Sequence, residues 1–205
     1  TTATENVAIG AYAGSAINSG SYNVLIGKNC GDEITTANGN TAVGRAALNA
    51  TDDGTYNTAM GYAALANGNC GDNNVAIGRE ALVAYTGNYA TAVGTYALDA
   101  ATSGEYLTAV GLHAGGAITD GDEHVAVGYG ALADCSTGNK NTVIGAFAGN
   151  KTTGSSNTYV GNNTGYYGTT ADDCVAIGRN ALLGSSGNTT GNCNIAIGSY
   201  SLDAS

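Results

Sequence analysis

The chain has 205 residues, 33 of them Gly, with no Pro, no Trp and a single Phe; 16 acidic against 6 basic residues give a net charge of −10. Collagen is excluded because it needs abundant Pro, disorder because 43% of residues are hydrophobic and only 11% charged, and a conventional core because few large side chains are present to fill one. The acidic balance argues against nucleic acid or anionic lipid as partners, and no apolar run reaches the ~18 residues of a membrane span.

Twelve short apolar runs, each ending in Gly, follow one another along the chain. They are Asn6–Gly10, Asn23–Gly27, Asn40–Gly44, Asn57–Gly61, Asn74–Gly78, Ala90–Gly94, Leu107–Gly111, His124–Gly128, Asn141–Gly145, Asn157–Gly161, Cys174–Gly178 and Asn194–Gly198. Successive glycines are 17 residues apart eight times, 16 apart twice and 20 apart once. Such a period is the mark of a repeat architecture, and the absence of any break in composition makes residues 1–205 one array, with strand repeats from residue 6 to 202. The consensus is N-[TV]-A-[VI]-G-x-x-A-[LG], followed by a polar, Gly-rich turn.

Read down the repeats, the residue three before the Gly is Val, Thr or Ile, and the one just before it is Val, Ile or Met. The two are two residues apart and share one face of a strand. The column between them is Ala in nine of twelve repeats, with Leu25, Val143 and Tyr159 the exceptions. A 17-residue period with a five-residue strand predicts an all-β fold, a parallel β-solenoid of about twelve coils. At ~4.8 Å per coil the stack runs to roughly 55 Å. Strands then stack like on like, and the asparagines of the first position are placed to form amide ladders. The lack of Pro fits, since each coil must donate N–H groups to a neighbour. The β-branched face is expected to fill the thin core. The flat Ala face is expected to approach other copies closely, as around a three-fold axis. The reverse assignment, Ala inside and β-branched side chains outside, stays open.

Other residues are placed by the same frame. Lys28, Arg45, Arg79 and Arg179 follow the strand Gly, whereas nearly all acids lie in turns, giving one basic and one acidic edge. Tyr22, Tyr56, Tyr89 and Tyr106 share the column five before the Gly and are either cover at a coil corner or an aromatic strip facing a glycan. His124 stands where other repeats have Asn, and both it and His113 read as structural. Cys30 sits in a small-residue column and reads as packing; Cys174 and Cys193 fall near one corner of adjacent coils, as a disulfide or as a pair of buried thiols. Asp120, Asp122 and Glu123, and Asp172 with Asp173, are acidic turns in which calcium is conceivable, but the G-G-x-G-x-D calcium repeat is absent. No other cofactor is expected. No catalytic residue is nominated: there is no G-x-S-x-G elbow, Walker loop or H-E-x-x-H. Ile9-Gly10-x-x-Ala13 matches the hexapeptide of acyltransferase helices on only one side of each coil.

The strings Asn6-Val-Ala-Ile-Gly10, Asn74-Val-Ala-Ile-Gly78 and Asn194-Ile-Ala-Ile-Gly198 resemble the head repeats of trimeric autotransporter adhesins. The longer unit Asn40-Thr-Ala-Val-Gly44-Arg-Ala-Ala-Leu48 is similar to repeats of phage tail-fibre-like proteins. The resemblance covers residues 6 to 202 and implies a left-handed β-roll, a homotrimer and an extracellular or virion-surface fibre used in attachment, with a cell-surface glycan or host receptor as partner. The chain begins with Thr and shows no leader, so it is expected to be a processed chain or part of a longer one. Both ends of the array lack caps, which is expected of a fibre segment or of a subunit stacking end to end into a filament. The alternatives are an ice- or glycan-binding solenoid, for which Thr fills six of twelve positions in its column, and a tailspike polysaccharide depolymerase, whose clustered carboxylates have no counterpart among acids spread along turns.

Overall fold

Each repeat contributes one three-residue strand in the computed structural model, which describes residues 3–168, 170–185 and 191–203. The strands are β1 (Val7–Ile9), β2 (Val24–Ile26), β3 (Thr41–Val43), β4 (Thr58–Met60), β5 (Val75–Ile77), β6 (Thr91–Val93), β7 (Thr108–Val110), β8 (Val125–Val127), β9 (Thr142–Ile144), β10 (Thr158–Val160), β11 (Val175–Ile177) and β12 (Ile195–Ile197). They form one parallel sheet in sequence order, so the chain is an all-β solenoid. The register holds through the irregular intervals: Ala76 still pairs with Ala92, and Ile177 with Ile197. Extra or missing residues are therefore absorbed in the turns.

The strands are shorter than the five residues expected. The residue before most of them is an Asn held by its side chain, and the Gly after each leaves the strand at φ between +119° and +141°. Inter-coil bonding continues past the strands. Gly14 N–H donates to Cys30 O and Leu48 N–H to Ala64 O, both at 2.9 Å, and Ala46 N–H donates back to Lys28 O at 2.9 Å. Pro would break these ladders wherever it stood. Every coil also turns through three left-handed residues, in the fourth coil Tyr56 (φ 58°), Ala63 (φ 52°) and Leu65 (φ 50°). Each such non-Gly residue costs roughly 1 kcal/mol, which burial and the stacked hydrogen bonds offset.

The inward face is the reverse of the expected one. Ala42, Ala59, Ala76, Ala92, Ala109, Ala126 and Ala176 are buried, and the β-branched columns look outward, with Ile9 58%, Met60 42% and Ile144 41% exposed. The reason lies across the coil. Leu48, Leu65, Leu82, Leu98 and Leu132, four residues after the Gly, fill the interior at 0–1% exposure, so the strand residue facing them must be small. All three large mid-strand residues confirm the constraint, since each shares its coil with Gly in the Leu column: Leu25 with Gly31, Val143 with Gly149, Tyr159 with Gly165. A Cβ on Gly31 would lie 2.8 Å from Leu25 Cδ2, and one on Gly165 2.6 Å from the Tyr159 ring. Cys30 is fully buried in the same interior.

The asparagine column is a latch more than an amide ladder. Asn57 is fully buried; its Oδ1 accepts Asn74 N–H of the next coil at 2.9 Å and its Nδ2 donates to Gly71 O at 2.8 Å, closing its own coil. Asn23, Asn40, Asn74, Asn141 and Asn157 repeat both links. Direct amide-to-amide bonds join only Asn23 to Asn6 and Asn157 to Asn141, each at 3.1 Å, among the described residues. Where Ala90 removes the latch, the Tyr85 hydroxyl donates to Gly104 O instead.

His124 performs the same task with an imidazole. Nε2 lies 2.7 Å from Gly138 O and Nδ1 accepts Asn141 N–H at 3.3 Å, which defines a neutral ring protonated on Nε2. Burial holds its pKa below the ordinary 6.5. The unfolded chain therefore takes up this proton at higher pH than the folded one. Stability is complete above about pH 6.5 and is lost as pH falls from there towards the folded pKa. The expected result is a fall in the urea midpoint on acidification from about pH 7 to pH 5, part of which disappears in His124→Asn. An identical pH dependence in both proteins would refute this role.

Candidate functional site

The outward sheet face carries two side chains per coil. Val7, Ile9, Met60, Ile77, Val110, Ile144, Ile177, Ile195 and Ile197 are all among its exposed large hydrophobics. In-register pairing sets these columns straight along the stack, so the face is a continuous band of Val, Ile, Met and Thr rather than scattered apolar residues.

The edge that precedes the strands is acidic and bears tyrosines. Tyr22, Tyr56, Tyr89 and Tyr106 are 60%, 66%, 50% and 59% exposed. Only Tyr89 and Tyr106, in adjacent coils, meet, with ring centroids 5.4 Å apart and planes 2° from parallel. Gly39 separates Tyr22 from Tyr56, whose ring lies over it, and Asn73 separates Tyr56 from Tyr89. The acids beside them are tied into the stack: Asp72 Oδ1 accepts Thr55 N–H at 2.7 Å, Asp122 Oδ1 accepts Glu105 N–H at 2.8 Å and Asp172 Oδ1 accepts Ser155 N–H at 2.7 Å. Among the described residues no group of three or more His, Cys, Asp or Glu is placed to hold a metal ion.

The edge that follows the strands is cationic and aromatic. Arg45 lies over the Tyr62 ring at 5.4 Å, Arg79 over Tyr96 at 5.1 Å and Arg179 over Tyr200 at 4.8 Å. Arg79 also pairs with Glu80 at 3.0 Å, a contact that raises its pKa. Tyr96 stacks on His113 at 4.8 Å, and Tyr129 meets Phe147 edge-on at 4.7 Å. Beyond Phe147 an open cleft of about 530 Å³ is lined by Phe147, Asn162, Asn163, Tyr166, Tyr167 and Leu183.

Sequence reasoning found the first aromatic edge and missed the second. The four edge tyrosines recur in one column; the aromatics of the second edge are split between two, Tyr12, Tyr96, Phe147 and Tyr200 two residues after their glycines and Tyr62 and Tyr129 one residue after theirs. The cysteines resolve as thiols. Cys174 and Cys193 are both free, the first buried and the second exposed, and no disulfide joins them. Burial pushes the Cys30 and Cys70 thiols up to about 11, far from the thiolate form that nucleophilic chemistry needs.

Fold and surface together define a parallel β-solenoid with an exposed apolar sheet face, set between an acidic, tyrosine-bearing edge and a basic, aromatic one. No family model matches the chain, and neither a curated protein nor a solved structure matches it. No described helix is long and apolar enough to cross a membrane.

Proposed function

We propose that this chain is a structural and adhesive segment of an extracellular surface fibre, with no enzymatic role, and that it self-associates side by side into a trimer through its outward Val/Ile/Thr face. The observation that carries the reading is that no outward residue of the twelve strands is buried: this face is half-exposed or exposed from β1 to β12. A band roughly 55 Å long and one strand wide covers about 400–550 Å², the size of the largest apolar patches on soluble monomers, which are often functional. The trimer is thus assigned to the β-branched face, in place of the Ala face, which is interior.

The edges favour copies that run in the same direction. Rotation about an axis along the stack sets the edge after the strands of one copy against the edge before the strands of the next. At equal heights this brings Arg79 towards a neighbour's Asp72, and Arg179 towards a neighbour's Asp172 and Asp173. Three copies so arranged cover one another's apolar face, and the resemblance to trimeric adhesin heads supports that number.

Sedimentation and light scattering test the reading. The expected particle has three times the 20.1 kDa chain mass, and Val93→Lys with Val127→Lys yields a folded monomer. A wild-type chain that stays monomeric at tens of micromolar would sink it. The six threonines of that face, Thr41, Thr58, Thr91, Thr108, Thr142 and Thr158, favour one second reading, an ice-binding surface. A monomer that shapes ice crystals is its signature.

A further inference from the structure

We propose that the cleft formed by Phe147, Asn162, Asn163, Tyr166, Tyr167 and Leu183 is a carbohydrate-binding subsite that accepts an uncharged pyranose ring. This deepens the attachment reading above, on which it rests, but it uses residues of one chain only and does not require the trimer.

The first argument is the local departure from the repeat. Tyr166 and Tyr167 stand five and six residues after Gly161. No other coil has an aromatic residue at either position; they hold, for example, Asp32 and Glu33, Asn49 and Ala50, or Ala133 and Asp134. The same coil is also alone in carrying amides at both positions after its Gly, Asn162 and Asn163. The other coils stack without an aromatic pair there, so the fold does not require Tyr166 and Tyr167; the asparagines also serve the stack, Asn162 Nδ2 donating to Ala146 O at 3.1 Å and Asn163 taking the left-handed turn at φ 53°. Deviations from an otherwise consistent pattern concentrate where function is placed.

The second argument is geometry. Tyr166 and Tyr167 are 4.7 Å apart with planes at 73°, and Phe147 and Tyr166 are 6.4 Å apart at 61°. Steeply inclined rings make a corner with walls rather than a flat strip. Lys151 Nζ stands 5.9 Å and 5.3 Å from the two tyrosine centroids, at the lip. The volume of about 530 Å³ falls in the range of small-molecule sites, about 300–1,000 Å³.

The third argument is chemistry. A pyranose has one face of C–H bonds, which packs on an aromatic ring, and a rim of hydroxyls, each both donor and acceptor. The lining supplies rings for the first, and amides and tyrosine hydroxyls for the second, with the Lys151 ammonium beside the two tyrosine rings. Among the described residues no carboxylate lines the cleft, so nothing there is placed to hydrolyse a glycosidic bond. A single lysine on a chain of net charge −10 makes a poor anion site. The tyrosines of the other edge have exposed rings, and the concavity of about 440 Å³ on that edge is lined by Asp122, Glu123, Asn139, Lys140, Ser155 and Ser156, with no aromatic ring, which makes Tyr56 the natural control.

Saturation-transfer NMR on the whole chain, with the methyl glycosides of glucose, galactose, mannose and N-acetylglucosamine at millimolar concentration, tests the proposal. Transfer is expected to the ring C–H protons of at least one glycoside. Tyr167→Ala and the volume-retaining Tyr166→Leu should each weaken it roughly tenfold, with melting temperatures unchanged, while Tyr56→Ala binds as the wild type does. The proposal is overturned by absence of transfer from all four glycosides, by full retention in both cleft variants, or by equal loss in Tyr56→Ala. Sedimentation of the same samples separates this failure from that of the trimer.

Discussion

Alanine at Gly61 should break the stack at its fourth coil. Gly61 has φ +139°, a conformation open essentially to Gly alone. A Cβ there would lie 2.5 Å from Gly78 O and 2.7 Å from Gly78 C. Both atoms are backbone of the next coil, so no side-chain rotation relieves the overlap. Moving the coils apart would break the Gly78 N–H to Met60 O bond of 2.8 Å and its neighbours in the ladder. The expected loss is ~4 kcal/mol or more, read by urea unfolding, with new proteolytic cleavage near residues 60–78. Gly116→Ala is the control. Gly116 has no positive φ, and its nearest neighbour is the movable Asp99 Oδ1 at 3.3 Å, so its cost should stay within about 1 kcal/mol. Equal stabilities for the two variants would refute the assignment of the strand-end glycines to coil contact.

Asn57→Ala should cost ~3 kcal/mol by removing one buried side chain and orphaning two backbone groups. Asn74 N–H loses its acceptor and Gly71 O its donor, and each unsatisfied buried group costs about 1–3 kcal/mol. Asn57→Asp separates the two links. The carboxylate still accepts Asn74 N–H but faces the Gly71 carbonyl with no donor and adds an unpaired buried charge. It should therefore be less stable than the wild type at neutral pH and recover part of the loss in acid, where the protonated carboxyl donates. Equilibrium unfolding at two pH values reads both effects. If Asn57→Ala unfolds at the wild-type midpoint, the latch is dispensable.

The orientation of the strand could have been read earlier from a correlation between columns. Leu25, Val143 and Tyr159 are the only large residues in the Ala column, and each stands six residues before a Gly of the Leu/Gly column. Two positions that exchange volume within one coil must face each other across its interior. Taken one at a time, the columns suggested a different division, with β-branched residues filling the core and Ala on the surface. That reading followed the usual association of large apolar residues with interiors. It failed because a 17-residue coil leaves room for only one layer of large side chains, and the leucines and isoleucines of the turns already occupy it.

The amide latch was half legible. The recurrence of Asn marked a stacked column, but its Nδ2 partner is a carbonyl about fourteen residues further on, brought near only when the coil closes. The aromatic cleft was legible only as the Tyr166–Tyr167 departure from the repeat; its concavity was not, because Phe147 stands in another column of the preceding coil and meets Tyr166 through the path of two turns.

Period, parallel pairing and register are determined by the sequence itself, because coils of nearly equal length stack like residue on like whatever their cross-section. The tolerated changes of interval and the exclusion of Pro follow from the same ladder of N–H donors. Only the tertiary structure decided that His124 reproduces both links of an asparagine, that Cys174 and Cys193 remain thiols, and that an aromatic corner opens beside Asn162 and Asn163. Each of these depends on distances across a closed coil or between different columns of neighbouring coils, and those distances are set by the left-handed turns rather than by the repeat period.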